Sequence, residues 1–268
     1  MIAPTDTAGP LVYAIASGKG GVGKSILSVL LAAEFARRGR RVLLMDGAAG
    51  EGDLHVLLAV CPAAEPELPL EPGSEARPTA VADRLWVLTG DAYSTAATRS
   101  DARERARAHL RTTALFDGYD DVVVDAGPGL EAALRSTMRC TRLLAVAVPE
   151  PASLYSAYGL IKAVDAQVPD LPIDLLVNRA SAEAEGTRAF EILGLACRRY
   201  LDRELTLRGT IPERAEVRRA VQTPGRLVAL QFEEIALLVD SLRQEAEKAR
   251  APARPQDLVL SGEMNCPL

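Results

Sequence analysis

The sequence predicts a single doubly wound α/β domain, a mostly parallel sheet with helices on both faces. Three observations predict it. Short runs that are apolar throughout recur along the chain, as strands buried on both faces do. Segments of helical periodicity separate them, the order that joins parallel strands through crossover helices. No internal repeat or composition break interrupts the series, and 268 residues with 48% hydrophobic content are enough for one large packed core.

The elements follow in chain order. Residues 1–10 read as a flexible leader, and LVYAIAS (11–17) as a buried strand running into glycines. SILSVLLAAEFARRG (25–39) has helical spacing and stops at Gly39, a glycine suited to the left-handed position after a helix. RVLLMD (41–46) is a second strand, closing on an acid. CPAAEPELPLEPGSEARP (61–78), rich in Pro and Glu, is a surface loop. RLWVLTG (84–90) is a strand, and ARERARAHLRTTALF (102–116) a helix with a charged face. DDVVVDAGPG (120–129) repeats the pattern of strand, acid and glycine turn.

RLLAVAVPEP (142–151) is a strand halted by prolines, and PASLYSAYGLIKAV (151–164) opens a helix with Pro and Ser. IDLLVNRA (173–180) is a strand, and TLRGTIPERAEVRRAV (206–221) a short strand entering a helix. RLVALQFEEIALLVDSLRQEAEKAR (226–250) reads as one long closing helix, followed by a flexible tail over 251–268. The domain is therefore expected over residues 11–250.

Composition narrows the function. A net charge of −5 and a pI near 5.3 give no bulk attraction for nucleic acid. Arg99, Arg103, Arg105, Arg107 and Arg111 are interleaved with Asp101 and Glu104, the pattern of a solvated helix, so no specific nucleic-acid partner is expected. Cys61, Cys140, Cys197 and Cys266 form no C-x-x-C pair, which disfavours a metal or cluster site and suits a reducing cytoplasm. His55 and His109 are isolated and read as structural. No apolar run approaches the ~18 residues of a membrane span, and MIAPTDTAGP lacks the pattern of a secretion signal. The expected location is cytoplasmic.

The sharpest motif is Gly18-Lys19-Gly20-Gly21-Val22-Gly23-Lys24-Ser25, which satisfies G-x-x-x-x-G-K-[ST] between a buried strand and a helix. Glycines let successive backbone N–H groups converge on phosphate oxygens, and the helix N-terminus adds its positive dipole end. The motif assigns Lys24 to the β/γ-phosphates and the Ser25 hydroxyl to Mg²⁺. Lys19 has no such role within its own loop. The chain has four lysines, Lys19, Lys24, Lys162 and Lys248, and places two of them here. A lysine at position 19 is most useful to a phosphate in a facing subunit.

KGGVGKS resembles the deviant phosphate loop of the MinD/ParA class of P-loop ATPases, whose extra lysine contacts nucleotide across a sandwich dimer. The resemblance spans about residues 11–240. It implies an ATP-dependent homodimer, with ATP and Mg²⁺ as cofactors and a further protein partner. Asp46 corresponds to the acid that begins the first switch, and Asp125, in VVVDAGPG, to the acid that holds Mg²⁺ through water, with Gly127-Pro128-Gly129 as the second switch. Asn178, in LLVNRA, corresponds to an adenine-recognising asparagine, and TIPERAEVRRAV to the segment flanking the base. The implied nucleotide site is Gly18, Lys19, Gly20, Gly21, Val22, Gly23, Lys24, Ser25, Ile26, Asn178, Arg179, Pro212 and Glu213. Lys19, Lys24 and Asp46 carry the implied catalytic roles, and Ser25, Asp46 and Asp125 the metal. VPEPASLYSAYGLIKAV, with Tyr158 and Lys162, resembles the FlhG branch (also called FleN or YlxH), which controls flagellar number and placement.

Departures from the family pattern set further expectations. Ala48 stands where the first switch has a second acid that positions water. A methyl group cannot do this, so hydrolysis should be slow or partner-stimulated unless Glu51 or Asp53 substitutes. The alternative is an ATP-locked scaffold that does not turn over. Arg214 replaces an Asp beside the base, which loosens the expected nucleotide preference. Relatives often hold membrane through a closing amphipathic helix. Here that helix mixes Glu233, Glu234, Asp240, Glu245 and Glu247 with Arg226, Arg243, Lys248 and Arg250, and lacks a cationic face. Peripheral membrane association thus rests on the resemblance alone. A metallocluster carrier is disfavoured by the cysteine spacing, and a bacterial tyrosine kinase by the lack of tyrosine after Tyr200.

Overall fold

Eight strands form one sheet in the order β3-β4-β2-β5-β1-β6-β7-β8. They are β1 Leu11–Ala16, β2 Val42–Asp46, β3 Thr79–Ala82, β4 Leu85–Leu88, β5 Asp121–Asp125, β6 Arg142–Ala147, β7 Ile173–Ala180 and β8 Thr206–Pro212. Every neighbouring pair is parallel except the β3–β4 hairpin at one edge. The helices are α1 Lys24–Arg37, α2 Leu54–Leu58, α3 Leu130–Thr137, α4 Pro151–Gln167, α5 Glu183–Leu201, α6 Ala215–Val221 and α7 Glu233–Arg250. The computed structural model describes residues 9–47, 54–61, 78–89, 115–127, 129–137 and 140–250, apart from the side chains of 249 and 250. Several sequence expectations lie outside these residues. They are the leader through residue 8, Ala48, Glu51 and Asp53, most of helix 102–116 with its arginines and His109, Pro128, and the tail.

Alternation within the apolar strands explains the two-sided burial. Tyr13 and Ile15 of β1 point to the face covered by α1 and α7, together with Leu44, Val123 and Leu144. Ala14 and Ala16 point to the other face, among Leu143, Ala145, Leu175 and the buried residues of α4 and α5. With both faces covered, a strand gains nothing from polar residues at alternate positions, which is why the runs are continuous.

The long closing helix predicted from residue 226 starts later. Leu227–Ala229 is a 3₁₀ turn, Leu230 is extended, and the α-helix begins at Glu233. The cause is tertiary: the Arg37 guanidinium donates to the carbonyls of Val228 and Leu230, both at 3.0 Å, so these oxygens accept a side chain and not the next helical turn. At its other end α7 is bolted to the sheet. Glu245 takes up Arg142 at 2.7 Å and Arg208 at 2.6 Å, and both arginines also bond the buried Asp174. Gly39 follows α1 at φ +82°, as its position predicted.

Candidate functional site

Strand order and register assemble the site. β1 lies between β5 and β6, and β5 lies between β1 and β2. Ile15 is level with Asp125, and Asp125 is level with Asp46. The glycine loop, Asp125 and Asp46 therefore emerge side by side at the carboxyl ends of three adjacent strands, where open α/β sheets bind ligands. Asn178 and Pro212, near the ends of β7 and β8, stand at the same edge. The backbone N–H of Glu213 reaches the Ala180 carbonyl at 3.4 Å and ties those two ends together.

Two glycines of the loop are fixed by close approach. A Cβ on Gly18 would lie 1.9 Å from the Ser156 carbonyl oxygen of α4. Gly23 has φ +95° as the residue before α1, and a Cβ there would lie 2.5 Å from the Asn178 amide nitrogen. That amide donates to the Val22 carbonyl at 2.7 Å, with Val22 itself buried. Asn178 thus braces the loop from below. The loop also closes on itself, the Ser17 hydroxyl donating to the Lys19 carbonyl at 2.6 Å.

Lys24 and the two acids are buried together. Burial pulls the Lys24 ammonium below its usual range, with Asp125 acting the other way. Burial pushes the Asp125 carboxyl up to about 7. The Asp46 charge adds to that push, while the Ser25 hydroxyl, Lys24 and Ser28 draw it down. Asp125 Oδ1 is buried without a hydrogen-bond partner among the described residues. The Ser25 hydroxyl and the Asp46 and Asp125 carboxylates, with Oδ1 of Asp125 unsatisfied among the described residues, are hard-oxygen donors of the kind Mg²⁺ takes. The residues fit that cation.

Lys19 turns away from this pocket. It is exposed, and its Nζ lies 3.0 Å from Glu150 Oε2, at the start of α4. Arg179 is exposed at φ +58°, and Glu213 pairs with Arg218 at 2.6 Å. Gly20 and Gly21 are exposed at the loop tip, and Ile26 is half-buried in the first turn of α1. Arg214 is engaged by the segment that starts α7. Its guanidinium bonds Glu234 and stacks over Phe232 at 5.1 Å, anchoring the start of α7. The bracing bond from Asn178 and the Lys19–Glu150 pair were not legible in the sequence, since their partners lie 156 and 131 residues apart.

Residues 13–225 match the family described as CobQ/CobB/MinD/ParA nucleotide binding domain. The chain is 32% identical over 243 residues to the antiactivator FleN of Pseudomonas aeruginosa, covering 86% of each protein. It is 25% identical over 257 residues to the flagellum site-determining protein YlxH of Helicobacter pylori, covering 87% of this chain and 83% of that one. In fold it is similar to a chain of the MinC:MinD cell division protein complex of Aquifex aeolicus. The TM-score is 0.66 at 22% identity, over 91% of this chain and 98% of that one. MinD of Pyrococcus horikoshii, complexed with Mg-ADP, gives a TM-score of 0.67 at 19% identity, over 88% of this chain and 97% of the other.

Proposed function

The chain belongs to the CobQ/CobB/MinD/ParA nucleotide-binding family, as a MinD/ParA-class ATPase resembling the flagellar regulators FleN and YlxH, and we propose on that premise that it is an ATP-dependent dimerisation switch. The loop amides and Lys24 hold the β- and γ-phosphates. Ser25, Asp46 and Asp125 hold Mg²⁺, which when bound neutralises phosphate charge. Asn178, Arg179, Pro212 and Glu213 flank the base. Lys19 leaves its own pocket to reach the nucleotide of a second copy. The output is the counting or placement of a cellular structure such as the flagellum, through a protein partner. Hydrolysis is slow or partner-stimulated.

The observation that carries this reading is the convergence of Lys24, Ser25, Asp46 and Asp125 at three adjacent strand ends, with Asp125 Oδ1 unsatisfied among the described residues. Calorimetric titration with Mg-ATP tests it. Lys24→Ala removes a charge-assisted phosphate contact and should weaken binding by at least ~10–100-fold. Wild-type affinity in the variant overturns the reading. A second reading, an ATP-locked scaffold without turnover, is favoured by Ala48 at the position of the water-positioning acid.

A further inference from the structure

Beyond the phosphate loop, helix α1 carries one hydroxyl on its buried face. Ser28 is fully buried between Leu27 and Val29, and the buried run that follows is apolar through Phe35 except for Glu34. Alanine suits a helix interior better, and a buried hydroxyl costs about 1–3 kcal/mol unless it is bonded. The Ser28 hydroxyl donates to the Lys24 carbonyl at 3.0 Å, one turn back. That bond alone does not account for a serine here. In an α-helix the same carbonyl already accepts the N–H four residues on, and hydroxyl bonds of this kind slightly destabilise the helix.

The second acceptor beside Ser28 is the Asp125 carboxyl. α1 packs against β5, the strand that Asp125 closes. A hydrogen bond from Ser28 is among the contacts that oppose the effect of burial on this acid. Ser25 makes a contact of the same kind, but the phosphate-loop motif assigns its oxygen to Mg²⁺. Ser28, three residues further along α1, is the hydroxyl that can hold Asp125 from behind.

Asp125 needs such a hold. It is 5% exposed, and its Oδ1 has no hydrogen-bond partner among the described residues. The terminal torsion of an aspartate is broad, so packing along the side chain does not by itself aim the oxygens. A serine hydroxyl has one proton and rotates to suit its acceptor. Donated to the Asp125 carboxylate, that proton fixes which way the unpartnered oxygen faces.

We propose that Ser28 is a positioning residue for the cation: its hydroxyl orients the Asp125 carboxylate and so sets how much Mg²⁺ adds to nucleotide binding. The proposal rests on the reading of Lys24, Ser25, Asp46 and Asp125 as a Mg-nucleotide site. Ser28 is buried under α1 and acts through Asp125. Hydrogen bonds that hold a metal-binding carboxylate in place are worth roughly 10–100-fold in metal affinity.

The test is calorimetric titration of the full-length protein with ATP, once with excess Mg²⁺ and once with EDTA. The ratio of the two affinities is the gain due to the cation. In Ser28→Ala that gain should fall at least about tenfold, with the loss carried by the Mg²⁺ titration. Val29→Ala, a packing defect one residue on, should keep the gain of wild type. Thermal unfolding without ligand checks that both variants fold. A gain unchanged in Ser28→Ala overturns the proposal. So does an equal loss in both titrations, which marks a distorted phosphate loop, or a gain lost to the same extent in Val29→Ala. In each of these cases wild type still binds ATP better with Mg²⁺, and the site reading stands. A wild-type protein that gains nothing from Mg²⁺ overturns that reading and the role of Ser28 together.

Discussion

Lys19 and Glu150 form an ion pair within one chain, Nζ to Oε2 at 3.0 Å, with 42% and 59% of their side chains exposed. The lysine that the loop motif leaves without a phosphate is therefore parked on the cap of α4. An exposed pair of this kind contributes at most about 1 kcal/mol and is lost to a better partner easily. It holds the ammonium at the start of α4 without locking it.

Lys19→Ala should accordingly separate binding from assembly. Affinity of the monomer for Mg-ATP stays close to wild type, because Lys24, Ser25 and the loop amides remain. The dimer loses two charged contacts by symmetry. At roughly 1.5–3 kcal/mol each, that weakens assembly by about two to four orders of magnitude. Light scattering with a non-hydrolysable ATP analogue reads the difference, and a variant that binds the analogue and dimerises like wild type sinks the cross-subunit role.

Asp125 gives a pH-dependent signature. Its folded-state pKa is raised from 3.8 to about 7, so the folded protein binds more protons than the unfolded chain between these values. Stability contributed by this group then falls as pH rises through that window, and the full penalty applies above it. Asp125→Asn removes the penalty. In thermal unfolding without ligand, the variant should match wild type near pH 4 and exceed it at pH 8, by up to roughly 4 kcal/mol. Adding Mg-ATP should reverse the order by stabilising wild type. A difference independent of pH contradicts the assignment.

Asn178 is expected to matter before any nucleotide arrives. Its amide satisfies the carbonyl of the buried Val22 at 2.7 Å. Asn178→Ala leaves that oxygen unpaired and should cost about 1–3 kcal/mol in urea unfolding of the ligand-free protein. Unchanged stability would confine Asn178 to base recognition.

Sequence and structure agree where a single local rule decides. The central strands are legible because burial on both faces makes them apolar throughout, and the phosphate loop because its glycines and lysine stand at a fixed spacing. Helix α5 is not legible in the sequence. Its Gly186 and Gly194 look like breakers, yet Gly186 is there because a Cβ would meet Thr210 Oγ1 at 2.1 Å, a contact set by tertiary packing. β3 carries no clear sequence signal because it is a four-residue edge strand of alternating exposure directly after the Pro-rich stretch. The start of α7 has no local sign in the sequence, because Arg37 takes the carbonyls of Val228 and Leu230 from far along the chain. Within the site, the acids and the lysines were legible, and the bonds that hold them in register were not.

Ala48→Asp separates the switch from the locked scaffold. Asp46 is level with Asp125 at the end of β2, and Gly47 is held down by its N–H bond to the Asp125 carbonyl at 2.8 Å. A Cβ on Gly47 would lie 2.7 Å from that same oxygen. Gly47 is thus a fixed point beside Asp125, and an acid at the next position supplies the chemical group that the family's first switch has and this sequence lacks. Positioned acid–base groups contribute roughly 10²–10⁴-fold to rate. Restoring one should raise basal phosphate release at least about tenfold while leaving Mg-ATP affinity near wild type, which a steady-state phosphate assay and calorimetry report separately. If wild type already turns over as fast as the variant, another residue positions the water and the locked scaffold is excluded. If the variant gains turnover and the dimer it forms with ATP becomes short-lived, the wild-type chain is a switch held closed by a missing carboxylate.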